Sequence, residues 1–195
     1  MRVSRAQAEA NREAVINAAS RLFREHGFDG IGLKDLMRGA GLTQGGFYKQ
    51  FESKDDLAAQ ASRRAMEHAT RRWSAVAAAS SDPLEAVIEL YLSMGHRQEK
   101  SDGCPLVALG ADAARQSEEV RVPFQDGVQA HLQILAELIP AGESPKASGK
   151  AMAMLSLMVG AVTISRIMED EEISQRFLDA ASEEVRRIAA SAENA

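Results

Sequence analysis

The chain has 195 residues, of which 45% are hydrophobic, and its formal net charge is −5. This length and composition suit one compact chain with one or two hydrophobic cores. Its single cysteine, Cys104, excludes an intrachain disulfide framework and a metal site made only of cysteines. The longest uncharged apolar stretch, 151–164, is shorter than the ~20 residues that span a bilayer. The N-terminus has no apolar signal region, so we expect a cytoplasmic protein that does not enter a membrane.

The acidic charge is unevenly distributed. Residues 1–56 hold nine Lys and Arg against eight Asp and Glu, a net charge of +1. The remaining 139 residues hold 14 Lys and Arg against 20 Asp and Glu, a net charge of −6. The small N-terminal part can therefore face phosphate groups, although the balance argues against a general electrostatic coating of nucleic acid.

Every strong segment has helical periodicity, and no alternating run of β-branched residues indicates a strand, so we predict an all-α fold. Residues 1–8 are expected to form a frayed basic arm. About nine helices are predicted, at 10–26, 33–40, 44–50, 54–78, 83–97, 103–116, 118–138, 144–169 and 172–190. Pro123 lies inside the seventh of these, so its first turns are expected to be kinked or separate.

A helical corner is predicted between the second and third helices. Gly41 can supply the positive φ that a tight corner requires, and Thr43 is a good N-cap for the helix that follows. On that helix, Phe47 and Phe51 are spaced to point inward. Ser53 is expected to cap the long fourth helix.

The outward side chains of this corner suit contact with DNA. Base edges in the major groove are read from the early residues of an inserted helix. Gln44 can form a bidentate pair with adenine, and it shares a predicted face with Tyr48. Gly45 and Gly46 each lower the stability of a helix by roughly 1 kcal/mol relative to Ala. Glycine at these positions is understandable if the backbone must approach the DNA closely.

The other polar residues suit phosphate groups, which position a protein without specifying sequence. Thr43 can reach a phosphate or a thymine methyl group, and Tyr48 offers a hydroxyl. Lys49 and Lys54 offer cations, and Lys54 also lies at the start of a helix, where backbone N–H groups favour an anion.

The stretch resembles the TetR (tetracycline-repressor) family of regulators. The matching residues are Gly27, Phe28, Asp35, Leu36, Ala40, Gly41, Leu42, Thr43, Gly45, Phe47, Tyr48, Phe51, Ser53, Lys54 and Leu57. The resemblance implies a dimeric, ligand-controlled transcription factor, usually a repressor, that binds a double-stranded DNA operator. By motif position it implies DNA contacts from Thr43, Gln44, Gly45, Gly46, Tyr48, Lys49 and Lys54. Ile31 and Gly32 depart from the family pattern, because Ser or Thr is usual there.

We therefore predict two domains. Residues 1–56 would form the helix-turn-helix DNA-binding domain, and residues 57–195 the effector-binding and dimerisation domain. Apolar and aromatic residues of the larger part, with two polar ones, could line a cavity for a small-molecule effector. They are Trp73, Tyr91, Met94, Phe124, His131, Met154, Met158 and Thr163. The alternative is that each of them only fills a core.

Cys104 permits a second kind of response. It lies in the predicted first turn of a helix, and a helix N-terminus lowers the pKa of a thiol, which suits a sensor of electrophiles or oxidants. Asp102 acts in the opposite direction. The alternative is a small buried cysteine with a packing role.

The last two predicted helices are expected to form the dimer. The helix at 144–169 is apolar on more than one side, Gly160 would permit close approach, and the helix at 172–190 carries a stripe of Ile173, Phe177, Ala181, Val185 and Ile188. Two copies could build a four-helix bundle across a two-fold axis. The alternative is a wholly intramolecular core.

No pattern supports catalysis. The four histidines, His26, His68, His96 and His131, fall on different predicted helices without metal-ligand spacing. The sequence contains no G-x-S-x-G motif, no P-loop and no dinucleotide-binding glycine motif. We expect no enzyme, cofactor or metal, and the competing interpretation is a helical adaptor protein that does not bind DNA.

Overall fold

The computed structural model describes residues 4–139 and 145–191, which contain helices and no strand. The all-α prediction is therefore confirmed for this part of the chain. In chain order the elements are α1 (Arg5–His26), α2 (Leu33–Gly39), a 3₁₀ helix (Gln44–Lys49), α3 (Lys54–Ala78), α4 (Pro83–Tyr91), α5 (Met94–Gln98), α6 (Pro105–Ala113), α7 (Glu118–Leu138), α8 (Pro145–Ile167) and α9 (Glu171–Ala190). The predicted start of the eighth helix at Ser144 lies outside the described residues.

The first helix begins earlier than the sequence pattern predicted. Ser4 has an extended backbone and its Oγ accepts the N–H of Gln7 at 3.2 Å, which is an N-cap. The Gln7 side chain also donates to Asn11 Oδ1 at 2.9 Å. The prediction of a frayed arm is therefore wrong from Arg5 onward. Hydrogen bonds from polar side chains stabilise the first turn, and these residues need no apolar stripe to be helical.

The helix predicted over 83–97 is two helices. Ser93 has extended backbone angles, φ −120° and ψ 154°. Its Oγ accepts the N–H of His96 at 3.1 Å and donates to Leu90 O at 3.1 Å, so one hydroxyl serves the end of α4 and the start of α5. By contrast, α7 is one continuous helix through Pro123, so its first turns are not a separate helix, which was one of the two expectations.

The chain forms two compact units. The first contains residues 1–68 and 100–126, and the second contains residues 69–99 and 127–195, as far as these ranges are described. The first unit therefore includes α6 and the start of α7, which the predicted division at residue 56 leaves out. Its buried core joins α1, α2, the 3₁₀ helix, α3, α6 and α7, with Phe23, Leu36, Met37, Phe47, Leu57, Leu109 and Val120 among its members.

In the second unit, two arginines on different helices each donate hydrogen bonds to the carbonyls at the end of the other's helix. Arg97 donates to the carbonyls of Ser165 at 2.9 Å and Met168 at 2.7 Å. Arg166 donates to the carbonyls of His96, Arg97 and Glu99, each at 3.0 Å. The last carbonyls of a helix have no intrahelical partner, so these cations satisfy the ends of both α5 and α8.

The α8 helix packs along α9. Its segment Ala147–Ile167 is long and apolar enough to cross a membrane by length and composition alone. Buried helices of globular proteins share that property, and one side of α8 is fully buried at Ala151, Met154, Met158 and Val162. The opposite side carries exposed residues, among them Met152 and Ile164.

Candidate nucleic-acid interface and interior aromatic cluster

A buried aromatic platform carries the 3₁₀ helix. Phe47 is fully buried and Phe51 nearly so, with ring centroids 5.4 Å apart. Gly41 has φ +72°, as predicted for the corner, and the Leu42 N–H donates to Met37 O at 2.9 Å. The inward orientation of both phenylalanines is confirmed, and the platform fixes the segment that precedes α3.

The polar residues of the segment face outward. Tyr48 is 74% exposed, and its ring stands edge-on against Phe47 with centroids 5.1 Å apart. Gln44 and Lys49 are exposed, as is Thr43, while Gly46 is half-buried. The structure thus brings the predicted DNA-contact residues to one exposed segment and to the adjoining first residue of α3.

The segment Gln44–Lys49 is a 3₁₀ helix, not the α-helix that was predicted. The Gly46 N–H donates to Thr43 O at 3.2 Å, and the Gln50 N–H to Phe47 O at 2.8 Å, both three residues apart. Two successive glycines favour a helix poorly, which accounts for the short, tight form. Side chains four apart are separated by about 120° in such a helix and by about 40° in an α-helix. Gln44 and Tyr48 therefore do not share one face, although both are exposed.

Thr43 occupies the N-cap position of this helix, but its hydroxyl makes no capping hydrogen bond. The position was predicted correctly and the bond was not. The hydroxyl is therefore not committed to the helix end.

Lys54 begins α3 at a well-capped N-terminus. Ser53 Oγ accepts the Asp56 N–H at 2.9 Å, so the predicted cap is confirmed. Asp55 and Asp56 occupy the first turn, where Asp56 accepts the Glu52 N–H at 3.0 Å. Lys54 is half-buried. These carboxylates already use the favourable end of the helix dipole, so Lys54 offers a phosphate mainly its own charge.

Sequence reasoning missed Arg12 beside this surface. Its guanidinium lies over the Phe51 ring, 5.3 Å from the centroid, and donates to Gln60 Oε1. A cation over an aromatic face is favourable. Arg12 therefore joins α1 to α3 behind the platform. No local pattern identifies it, because its partners lie far along the chain.

The second unit contains an interior aromatic cluster that we define as Trp73, Tyr91, His96 and His131. Trp73 stands edge-on to His131 at 4.5 Å and to Tyr91 at 5.3 Å, and Tyr91 lies 4.5 Å from His96, all between ring centroids. All four side chains are buried. Three of the predicted effector-site residues, Trp73, Tyr91 and His131, are thus brought together, and His96 was missed.

Both histidines of the cluster use Nδ1 toward the backbone. His131 Nδ1 lies 2.7 Å from Gly127 O, and His96 Nδ1 lies 2.6 Å from Tyr91 O. A carbonyl oxygen only accepts, so each Nδ1 carries the proton. Burial lowers the pKa of both rings, and the backbone hydrogen bond offsets part of that effect. Both rings are therefore neutral at pH 7.

The other predicted effector-site residues lie elsewhere. Phe124 is buried in the core of the first unit, edge-on to Phe28 at 6.3 Å. Met94 lines an open surface cleft of about 460 Å³ with Asp179 and Arg186. Thr163 is exposed, and its hydroxyl donates to Val159 O at 2.8 Å. Sequence spacing does not say which neighbours these residues meet. The two polar candidates for the cavity lining are therefore separated, with His131 buried in the aromatic cluster and Thr163 exposed.

Two predicted methionines, Met154 and Met158, are fully buried on α8. The prediction placed them in a cavity wall. Their burial agrees equally with the alternative that they fill the core of the second unit.

Cys104 is the N-cap residue of α6, one position before the predicted first turn, and is 5% exposed. Arg24, which sequence reasoning missed, lies beside it. The Arg24 guanidinium is buried, donates to Gly103 O at 2.9 Å and approaches Asp102 at 3.6 Å. Burial lowers the pKa of Arg24, whereas Asp102 and Cys104 raise it. A buried guanidinium is therefore hydrogen-bonded to the residue that immediately precedes Cys104.

An exposed apolar face runs along α8 and α9. Its large side chains are Met152, Ile164, Ile167, Ile173 and Phe177, of which Ile167 is 70% exposed. The apolar residues predicted to share one side of α9 differ in exposure. Ala181 and Val185 are buried within the unit, whereas Ile173 and Phe177 are exposed. Five large apolar side chains exposed on two helices that pack together are typical of an interaction surface.

Within residues 4–139 and 145–191, no three His, Cys, Asp or Glu side chains are grouped to hold a metal ion.

Comparison with known proteins bears on both units. Residues 15–61 match the family described as bacterial regulatory proteins of the tetR family. Residues 80–184 match the C-terminal domain of the LmrA/YxaF-like transcriptional regulators. The HTH-type transcriptional regulator LmrA of Bacillus subtilis is 25% identical over 161 residues, which are 80% of this chain and 86% of LmrA.

Solved structures share the whole fold. Escherichia coli NemR in its reduced form is 22% identical with a TM-score of 0.80, covering 94% of this chain and 99% of NemR. A TetR-family regulator from Cytophaga hutchinsonii is 21% identical with a TM-score of 0.79, covering 98% and 100%. Since the C-terminal family model alone matches more than half of the residues, the chain belongs to the TetR family of bacterial transcriptional regulators.

Proposed function

We propose that this regulator is a cytoplasmic, homodimeric repressor that binds a palindromic operator and leaves it when a small molecule binds. In this proposal residues 1–56 carry the DNA contacts, and residues 57–195 carry effector binding and dimerisation. The observation that carries it is the exposed segment from Thr43 to Lys49 on the buried Phe47 and Phe51 platform. The proposed activity is binding, without catalysis or a cofactor.

Base readout would rest on few side chains. Gln44 is exposed at the start of the 3₁₀ helix and is the one side chain of residues 43–46 that can make a bidentate base contact. Gly45 and Gly46 let the backbone come close. Tyr48, Lys49 and Lys54 would hold phosphates, as Thr43 could, and these contacts set register. DNA shape would supply further specificity.

Dimerisation would bring two such segments to one duplex. The exposed apolar face of α8 and α9 supports pairing of these helices into a four-helix bundle. A two-fold dimer reads half-sites one helical turn apart, about 34–36 Å between successive major grooves. A palindromic operator follows from that symmetry.

Effector binding would act through α3. This helix begins with Lys54 and also carries Trp73 of the aromatic cluster. An effector that binds one conformer of α3 more tightly shifts the population toward it. If that conformer places Lys54 badly for DNA, effector and operator affinities become coupled reciprocally.

Selection of bound duplexes from a random pool tests the proposal. We expect enrichment of one palindromic sequence, and loss of binding when the selection is repeated with the right candidate ligand. No enrichment and no salt-dependent affinity for any duplex would favour the helical adaptor instead. The same selection repeated with an electrophile distinguishes release by a bound small molecule from release by modification of Cys104.

A second candidate mode of release acts through the thiol of Cys104. It is favoured by the buried Arg24 guanidinium beside the cysteine, since a neighbouring cation favours the reactive thiolate. The relative NemR is a repressor, and its solved structure is described as the reduced form. Alkylation of native protein is the test. If Cys104 reacts only after denaturation, this mode fails, and its 5% exposure is the argument for that outcome.

A further inference from the structure

His131, in the aromatic cluster, has one ring nitrogen that the described residues leave without a hydrogen-bond partner. His131 is 1% exposed, and its Nε2 has no hydrogen-bond partner among the described residues. A buried polar atom without a partner is costly, and native structures pair the great majority of such atoms. An acceptor retained at this position therefore needs an explanation beyond packing.

The hydrogen-bonding role of this atom is fixed by the opposite side of the ring. Nδ1 donates to Gly127 O at 2.7 Å, so Nε2 of the neutral ring carries a lone pair and only accepts. Burial keeps the ring neutral at pH 7 by lowering its pKa. A partner for Nε2 must then bring its own O–H or N–H group.

The surroundings of the atom are aromatic. The Trp73 ring stands edge-on to the imidazole at 4.5 Å, and Tyr91 stands edge-on to Trp73 at 5.3 Å. Rings of this kind contribute most of their binding energy through apolar area and through edge-to-face contacts with other rings. They suit an apolar or aromatic molecule better than a strongly hydrated ion.

We propose that His131 Nε2 is the hydrogen-bond acceptor of the effector site and selects a neutral, apolar or aromatic molecule that carries one O–H or N–H donor. This inference rests on the proposed function, because it gives the chemical class of the effector. A site built to pair a donor rejects analogues that lack it, since the buried acceptor is then left unsatisfied.

The only tryptophan of the chain is the reporter for the test. Trp73 contacts His131 directly, so its fluorescence follows occupancy of the cluster. Full-length protein is titrated with phenol and with toluene, which differ by a hydroxyl in place of a methyl group. We expect phenol to bind about tenfold or more tightly than toluene, because only phenol can donate a hydrogen bond to the buried acceptor.

His131→Phe keeps an aromatic ring and removes the acceptor. We expect this variant to bind toluene as wild type does and to lose the preference for phenol. His68→Phe is the matched control, because His68 is exposed on the same helix as Trp73, and it should retain the preference. Nitrogen NMR of labelled histidine gives a direct signature, since phenol should shift the Nε2 resonance of His131.

Several results would overturn the inference. They are equal affinities of wild type for phenol and toluene, binding of neither, a preference that survives in His131→Phe, and a shift confined to His96. Tighter binding of benzoate than of phenol would assign an anion site with a charged imidazole instead. Operator affinity without any ligand is measured in parallel, because its absence contradicts the proposed function whatever phenol does.

Discussion

Gln44 and Lys54 are assigned different roles, and truncation separates them. On the proposed roles, Gln44→Ala would remove a bidentate base contact and should relax preference at one base position of each half-site by about 1–3 kcal/mol. Lys54→Ala would remove a phosphate contact, so it should weaken binding on all sequences alike and flatten the salt dependence by about one unit. Binding to a library of single-base operator variants at several salt concentrations checks both. Identical behaviour of the two variants would refute the assignment of readout to Gln44.

The two buried histidines predict how stability depends on pH. The pKa of His131 and of His96 is lowered in the folded chain, chiefly by burial. In the unfolded chain both histidines therefore become protonated near the ordinary histidine pKa of about 6.5. In the folded chain they stay neutral at that pH. The free energy of unfolding should be constant above that pH and should fall as the pH is lowered through it.

Urea unfolding at fixed protein concentration measures this dependence, and His131→Phe should reduce the fall. The carboxylates Glu85 and Glu99 act in the same direction but at lower pH. Their pKa values are lowered by hydrogen bonds from Arg186 and Arg72 respectively. A free energy of unfolding that rises as the pH is lowered from 7 to 5.5 would contradict neutral buried imidazoles.

Residue roles could be predicted where the cause is local. Gly41, Ser53 and Phe47 act through neighbours within a few residues, so capping and spacing rules identified them. Arg24 was missed because its partner Gly103 lies 79 residues away. The pairing state of His131 Nε2 likewise depends on packing that no spacing rule describes.

At the scale of single elements, the proposed DNA contact predicts that Gly45 and Gly46 lower the stability of the 3₁₀ helix while letting its backbone approach the DNA. A Cβ added at Gly45 meets nothing within 4 Å, and one at Gly46 meets only ordinary contacts. Neither glycine has a positive φ. Alanine at either position should therefore raise the free energy of unfolding by up to about 1 kcal/mol, while it should weaken operator binding because a methyl group then faces the DNA.

Gly110→Ala is the matched control, because Gly110 lies in α6 and a Cβ added there also meets nothing within 4 Å. It should be stabilising without any change in operator affinity. Denaturant unfolding and equilibrium binding are measured on all three variants. Operator affinity that is unchanged in Gly45→Ala and Gly46→Ala would mean that the backbone does not approach the DNA there.

Element boundaries were predicted well where a cap and an apolar stripe coincide. The helix over 54–78 was predicted to the residue, since Ser53 caps a long periodic segment. The division between α4 and α5 was missed because Ser93 interrupts the backbone without interrupting the apolar pattern. Periodicity reports which side of a helix is apolar, whereas a short cap decides where the helix ends.

For the whole molecule, assembly should depend on the exposed face of α8 and α9. Ile167 is 70% exposed, so Ile167→Glu costs the isolated chain little but places a charge in the proposed dimer interface. We expect the dimer to weaken and operator binding to fall with it. Gln133→Glu adds the same charge at an exposed position of α7 and should leave the dimer intact. Sedimentation equilibrium distinguishes them, and a wild-type monomer at micromolar concentration would contradict the assembly.

The fold class, the helix-turn-helix and its outward residues followed from sequence because the motif is local and dense. The composition of the two units did not, since Phe124 joins the first core through a long-range contact with Phe28. Candidate effector residues were chosen by type, and only some of them meet in space. Tertiary proximity of distant segments is the part that single-sequence reasoning does not supply.

Equilibrium binding to the duplex selected from a random pool, compared with a scrambled duplex of equal length at the same salt concentration, tests sequence-specific operator binding most directly. We expect at least about 10³-fold tighter binding to the selected duplex, with two chains bound to each duplex. Equal affinity for the two duplexes would contradict the proposed regulator.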